Sequence, residues 1–156
     1  MFCVVIDTNI LIGAQYDEFS FSRRIVDLVV SGKIRAVASR ATLRENKMLL
    51  KRAVRDRQWH REVRGFFDAV EYVLVRVPRR KKPIVREDPE DDKFIYTAIA
   101  GGATHIITSD AHLLDIEEHE GIRICTPRDF WYEYQEKERS AKGDTEWKEW
   151  VQGLLS

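Results

Sequence analysis

Phe2-Cys3-Val4-Val5-Ile6-Asp7-Thr8-Asn9 opens the chain: an apolar run, then an aspartate, a hydroxyl and an amide. About a hundred residues on, Ile106-Ile107-Thr108-Ser109-Asp110 repeats the pattern. β-Branched runs bounded by polar residues read as buried strands of a parallel sheet. In open α/β sheets the working crevice lies at the carboxyl ends of the strands. Both junctions therefore deliver an aspartate to that edge. Two carboxylates there repel each other unless something positive, typically a divalent ion, lies between them.

Further strands are expected at residues 34–38, 71–77 and 122–125, with residues 2–6 and 104–108 as the first and fourth. Between them, helical patterns cover about 20–31, 40–53, 57–69 and 90–100, with short helices after Asp7 and near 111–116. Gly32 and Gly101-Gly102 stand where helices end. Thr126-Pro127 opens a last helix as cap and first-turn proline. This alternation predicts an α/β fold, a three-layer α/β/α sandwich with a five-stranded parallel sheet. Lys142-Gly143-Asp144 is expected to interrupt the last helix. Beyond it, Trp147, Trp150, Val151, Leu154 and Leu155 recur at three- and four-residue spacing, the apolar face of a short amphipathic helix. Residues 1–138 are read as the main domain and 139–156 as a C-terminal amphipathic extension, docking on its own domain or on a second subunit.

At 156 residues, 44% hydrophobic and 33% charged, the composition suits one soluble globular domain. No apolar stretch approaches the ~18 residues of a membrane helix, and the start lacks the basic region of a signal peptide. Cys3 and Cys125 fall in strand-like runs, which predicts core thiols and a reducing, cytoplasmic setting. The formal net charge of zero conceals a split: residues 1–86 hold 19 basic against 9 acidic side chains, and residues 87–156 hold 7 against 17. Such asymmetry fits a polyanionic partner for the basic part, or two solvated faces that attract each other in the fold.

The densest acid cluster is Asp88-Pro89-Glu90-Asp91-Asp92-Lys93-Phe94. As a helix start it has Asp88 for a cap, Pro89 in the first turn and acids near the positive helix end. With Phe94 at zero and ~100° per residue, the apolar stripe of Phe94, Ile95, Ala98 and Ile99 centres near ~70°. Asp91 then falls at ~60° and Asp92 at ~160°. A carboxylate on a buried face is costly unless it is paired or holds a metal. Asp91 is therefore read as a ligand and Asp92 as flanking support. Asp7 and Asp110, taken singly, fit a helix cap as well as a metal ligand. Asn9 fits a donor to a metal-bound carboxylate or the start of a helix, and Ser109 an orienting group or a turn. Glu45 lies at the margin of the face formed by Leu43, Leu49, Leu50 and Ala53, and periodicity leaves it near the surface.

Taken together, Val5-Ile6-Asp7-Thr8-Asn9, Ser39 with Glu45, the run from Asp88 to Phe94, and Ile106-Ile107-Thr108-Ser109-Asp110-Ala111-His112-Leu113-Leu114 resemble a PIN domain. The likeness is closest to the PIN-type toxins of prokaryotic toxin–antitoxin systems. It covers about residues 2–130 and leaves out the tail and Arg79-Arg80-Lys81-Lys82. The resemblance implies acids at the strand ends that bind Mg²⁺ or Mn²⁺. Position by position these are Asp7, Glu45, Asp91 and Asp110, with Asn9 and Ser109 as polar support. It also implies a metal-dependent endoribonuclease acting on RNA, a restraining antitoxin protein, and a possible homodimer.

The chemistry is consistent. Hard oxygen donors suit Mg²⁺ or Mn²⁺ rather than zinc, and His60, His105, His112 and His119 show no spaced ligand motif. An ion held by Asp7, Asp91 and Asp110 would activate water for in-line attack on a phosphodiester, with Glu45 available for a second ion or for orienting that water. Lys51, Arg52, Arg55, Arg57, Arg61 and Arg64, with Arg79, Arg80, Lys81 and Lys82, offer phosphate contacts. Trp59 and Phe66 or Phe67 either stack bases or pack in the core. Two other classes remain at this level: an inactive RNA-binding or assembly module, and a different Mg-dependent phosphohydrolase. The second lacks one aspartate of an Asp-x-Asp motif, because residue 9 is asparagine.

Overall fold

A computed structural model describes residues 1–53, 57–79, 84–85 and 89–156. β1 (Cys3–Ile6) lies between β2 (Arg35–Ala38) and β4 (His105–Ile107), parallel to both. β3 (Tyr72–Leu74) extends the sheet beyond β2, and β6 (Ile122–Cys125) extends it beyond β4, again parallel. The expected five parallel strands are present, and the sheet has a sixth. β5 (Glu118–His119) pairs antiparallel with β6, giving the order β3-β2-β1-β4-β6-β5. Two residues are too few to show an alternating pattern, so this strand leaves no periodic signal in the sequence.

The helices are α1 (Thr8–Tyr16), α2 (Phe21–Val30), α3 (Arg40–Ala53), α4 (Arg57–Asp68), α5 (Asp92–Gly101), α6 (Ala111–Leu114) and α7 (Pro127–Leu155). They cover both faces of the sheet. Successive strand residues point to opposite faces. Val4 and Ile6 accordingly join Leu11, Ile25 and Phe130 in one core, and Val5 joins Phe94, Ile95 and Ile106 in the other. Burial on both sides is why the strands read as continuous apolar runs. α5 closes on β2 at Gly101, where a Cβ would stand 2.9 Å from Val37 Cγ2. Gly102 then ends the helix in the left-handed region, at φ 61°.

Two expectations need correction. The strand predicted over 71–77 is only three residues long, because β3 is the sheet edge and its Val73 and Leu74 are exposed. The predicted interruption at Lys142-Gly143-Asp144 is absent, and α7 runs unbroken for 29 residues. Glycine inside a helix costs about 1 kcal/mol relative to alanine, which good helix formers on either side can carry; only proline would break it. Phe130 and Tyr134 anchor the first turns of α7. Beyond Tyr134 every residue except Val151 is exposed, and Trp147 and Trp150 pair with each other at 5.1 Å between ring centroids. The apolar face of the tail is therefore not packed on its own domain. A chain ending at Ser140 is expected to keep its Tm within about 2 °C in thermal denaturation. A larger fall would show that the extension supports the core and move the proposed boundary at 138/139.

Candidate active site

The strand order reverses direction between β1 and β4, the switch point at which an open α/β sheet leaves a crevice. Ile6 pairs with Ile107, and the Asp7 N–H donates to the Ile107 carbonyl at 3.0 Å. Asp7 and the Thr108-Ser109-Asp110 turn therefore leave the sheet side by side.

Asp7 occupies the N-cap position of α1, yet its side chain makes no capping bond. It is 5% exposed, and its Oδ2 accepts a hydrogen bond from Thr108 Oγ1 at 2.8 Å. Burial pushes its pKa above the ordinary carboxylate value. The Thr108 hydroxyl and the Asn9 backbone N–H oppose that rise, and the negative charges of Glu45 and Asp110 add to it. Asp7 thus lies near the Asn9 N–H at the start of α1 but forms its hydrogen bond with Thr108 rather than a capping bond. Asp110 does cap: its Oδ1 accepts from the backbone N–H groups of His112 at 2.8 Å and Leu113 at 3.4 Å.

Thr108 is the residue that sequence reasoning missed. It is fully buried, and its hydroxyl both donates to Asp7 and accepts from the Asp110 N–H at 3.0 Å. The polar support expected from Ser109 comes from its neighbour, while Ser109 is exposed. The signal was present in the strand period, since the hydroxyl directly after the apolar run continues the buried strand. Asn9 is likewise exposed and contributes its backbone N–H.

Glu45 depends on how α3 begins. The Ser39 N–H donates to Thr42 Oγ1 at 2.9 Å, and Ser39 Oγ accepts from the Thr42 N–H at 3.4 Å, a reciprocal cap. Thr97 Oγ1 on α5 donates to the same Ser39 hydroxyl at 2.8 Å. With the start of α3 tied to α5, Glu45 lies between α1 and α5. Its Oε2 accepts from Thr8 Oγ1 at 3.3 Å, and its Oε1 pairs with Lys93 Nζ at 3.1 Å. Periodicity leaves Glu45 near the surface because it sees one helix; two neighbouring helices partly cover it.

Asp91 ends the 3-10 turn Pro89–Asp91 that leads into α5, and its Oδ2 is shielded from solvent. α5 runs back against the strands, so its first turn stands at the carboxyl edge. Asp92 is not a flanking group. It is 7% exposed, and its carboxylate accepts from the backbone N–H groups of Val85 at 2.6 Å and Ile84 at 3.0 Å. The ~100° step fails here for two reasons: a 3-10 turn precedes the helix, and residues 84–85 cover the side away from the apolar stripe.

The fold thus sets Asp7 in the negative field of Glu45 and Asp110, with Asp91 at the start of α5 on the same edge. Among the described residues, no three acids, histidines or cysteines converge to metal-ligating distance. The donor set itself, all carboxylate oxygens, has the chemistry of a magnesium or manganese site.

The predicted phosphate contacts separate. Arg79 is exposed near β3, and Arg52 is exposed on the last turn of α3, about 18 Å along the helix axis from its first residue. Arg55, Arg80, Lys81, Lys82 and the Asp88 cap lie outside the described residues, as does the side chain of Trp59. Phe66 and Phe67 are half-buried and pack against the core. Cys3 and Cys125 are both free, Cys125 buried and Cys3 partly so.

The PIN domain family model matches residues 3–112. The chain belongs to the PIN domain family. All four acids lie inside the matched region, and the second half of α6 and all of α7 lie beyond it. PIN domains are in general nucleases. The crystal structure of PAE2754 from Pyrobaculum aerophilum is similar with a TM-score of 0.47 and 15% identity, over 80% of this chain and 83% of that one. Among curated proteins, none matches. No helix among the described residues is long and apolar enough to cross a membrane.

Proposed function

We propose that this PIN domain is a metal-dependent endoribonuclease that uses Asp7, Glu45, Asp91 and Asp110 to hold Mg²⁺ or Mn²⁺. One observation carries the reading: Asp7 is buried at the switch point, spends its hydrogen bond on Thr108, and has its pKa raised by burial and by Glu45 and Asp110. Such a carboxylate destabilises the fold unless a cation joins it. The ion, when bound, supplies charge neutralisation and water activation for attack on a phosphodiester. The chain supplies the placement. Thr108 fixes one oxygen of Asp7, the α6 cap fixes one oxygen of Asp110, and Thr8 with Lys93 holds Glu45 between α1 and α5.

The test is cleavage of a labelled single-stranded RNA by the purified protein. Cleavage is expected with Mg²⁺ or Mn²⁺, to stop with EDTA, and to return on adding metal. Cleavage that persists in EDTA overturns the metal role. Retention of RNA without cleavage supports the inactive binding module instead, and turnover of phosphomonoesters alone supports another phosphohydrolase. The reading extends, on the resemblance, to a cytoplasmic toxin restrained by an antitoxin and able to form a homodimer. Induced expression should then arrest growth with the wild-type chain and not with Asp7→Asn.

A further inference from the structure

Arg40 and Arg44 stand one turn apart on the first turns of α3, at the same edge as the acids. The chain leaving β3 passes beside them and carries Arg76 and Arg79. Between the two segments lies a groove of about 840 Å³, with Ser39, Leu74, Val75 and Val77 in its walls and the four arginines around it. It adjoins a cavity of about 410 Å³ that includes Glu45 and Lys93. The two share Ser39, Ala41, Arg44 and Val77, so the arginine groove leads to Glu45.

All four arginines are exposed, and none forms an ion pair among the described residues. Four like charges around one groove make a positive field that draws in a polyanion. They stand in two pairs, Arg40 and Arg44 on α3 and Arg76 and Arg79 on the chain after β3, with the groove between them. Arg40 and Arg44 are about 6 Å apart along the helix, and Arg76 and Arg79 lie three residues apart on the chain that follows β3. That suits successive phosphates of one strand rather than a compact anion. A groove of about 840 Å³ is on the scale of a few nucleotides of a single strand. Among the described residues its walls, apart from the arginines, carry no aromatic ring and no amide side chain to read bases, so the contacts are to the backbone.

We propose that Arg40, Arg44, Arg76 and Arg79 form the track that holds the backbone of single-stranded RNA beside the acids. The proposal rests on the nuclease reading for its substrate and for its direction toward Glu45. It shifts the substrate contacts from the far end of α3, where Arg52 stands, to the near end.

The experiment is fluorescence anisotropy of a labelled single-stranded RNA over a salt series, in EDTA so that binding is read without cleavage. The variants are Arg44→Ala/Arg76→Ala, the charge-retaining Arg44→Lys/Arg76→Lys, and Arg139→Ala on the exposed part of α7, each confirmed folded by circular dichroism. Removing one arginine from its phosphate should flatten the log–log salt slope by about 0.7, so the double alanine variant should lose about 1.4. Its affinity at low salt should fall about tenfold. The lysine pair and Arg139→Ala should keep the wild-type slope. An unchanged slope in the double alanine variant overturns the track, as does an equal loss with Arg139→Ala. Equal affinity for duplex RNA overturns the single-strand assignment, and displacement by polyglutamate as effective as by unlabelled RNA overturns RNA as occupant. The two readings fail separately. Arginine-dependent binding by a protein that never cleaves keeps the track and sinks the nuclease; metal-dependent cleavage that the double alanine variant retains in full does the reverse.

Discussion

Asp7→Asn is expected to abolish RNA cleavage and, at neutral pH, to raise the Tm. The substitution is nearly isosteric, and the amide oxygen still accepts from Thr108 Oγ1, so packing is preserved. What disappears is a charge at the centre of the proposed metal site. A fall in kcat/KM of about 10³-fold is expected, equivalent to about 4 kcal/mol of lost transition-state stabilisation. The stability gain follows from the raised pKa of Asp7, whose main cause is burial. A carboxyl whose folded pKa lies above its unfolded value favours folding while protonated. That contribution is complete below the unfolded pKa and is lost as pH rises through the folded one. Near neutral pH the ionised carboxylate is therefore a cost, increased by repulsion from Glu45 and Asp110. Asparagine carries no charge at any pH. Thermal denaturation without metal should show the variant more stable near neutrality, with the difference vanishing at acid pH. Lower stability of the variant at neutral pH would mean that the carboxylate is well compensated, and would remove the chief support for a cation there. Loss of activity with gain of stability is the mark of a functional charge held at the expense of the fold.

Thr108→Val is expected to lower both stability and activity. Valine keeps the shape and removes the hydroxyl that joins Asp7 Oδ2 to the Asp110 N–H. Thr108 is fully buried, so neither lost bond is readily replaced by water. Deleting a hydrogen bond to a charged group and leaving a buried donor costs about 2 kcal/mol. In a domain of this size that is roughly 4–8 °C in Tm. The hydroxyl also holds the Asp7 pKa down, so its removal should move the acid limb of the cleavage profile to higher pH. That shift separates positioning from simple loss of fold, which would lower activity equally at every pH. Thr108→Ser, which keeps the hydroxyl, should restore most of the profile. An unchanged pH profile in Thr108→Val would show that the bond to Asp7 does not tune the site.

Much of the site was legible because two of its acids end apolar strands. Val4 to Ile6 and Ile106-Ile107 are buried on both faces, which leaves an unbroken apolar signal up to the residue before the turn. Asp7 and Asp110 are the first acids beyond those runs. Glu45 needed the family resemblance, because its burial comes from α1 and α5 and not from its own helix. Asp92 was misjudged for a related reason. Its partners are the backbone N–H groups of Ile84 and Val85, which share no periodicity with α5. The continuous α7 and the two-residue β5 were missed at the level of local energetics: one glycine is a small penalty in a long helix, and a minimal edge strand carries no pattern.

By itself, the sequence determined the parallel sheet, the helices between its strands and the presence of acids at strand ends. These features are encoded over a few neighbouring residues, through alternation, helical spacing and capping. Only the tertiary structure decided that Asp7 bonds Thr108, that Asp92 anchors residues 84–85, and that Arg40 and Arg44 face Arg76 and Arg79 across a groove. Each of those pairings joins segments far apart in the chain or on different elements. Their partners are chosen by how helices close on the two faces of the sheet, and no local pattern records that choice.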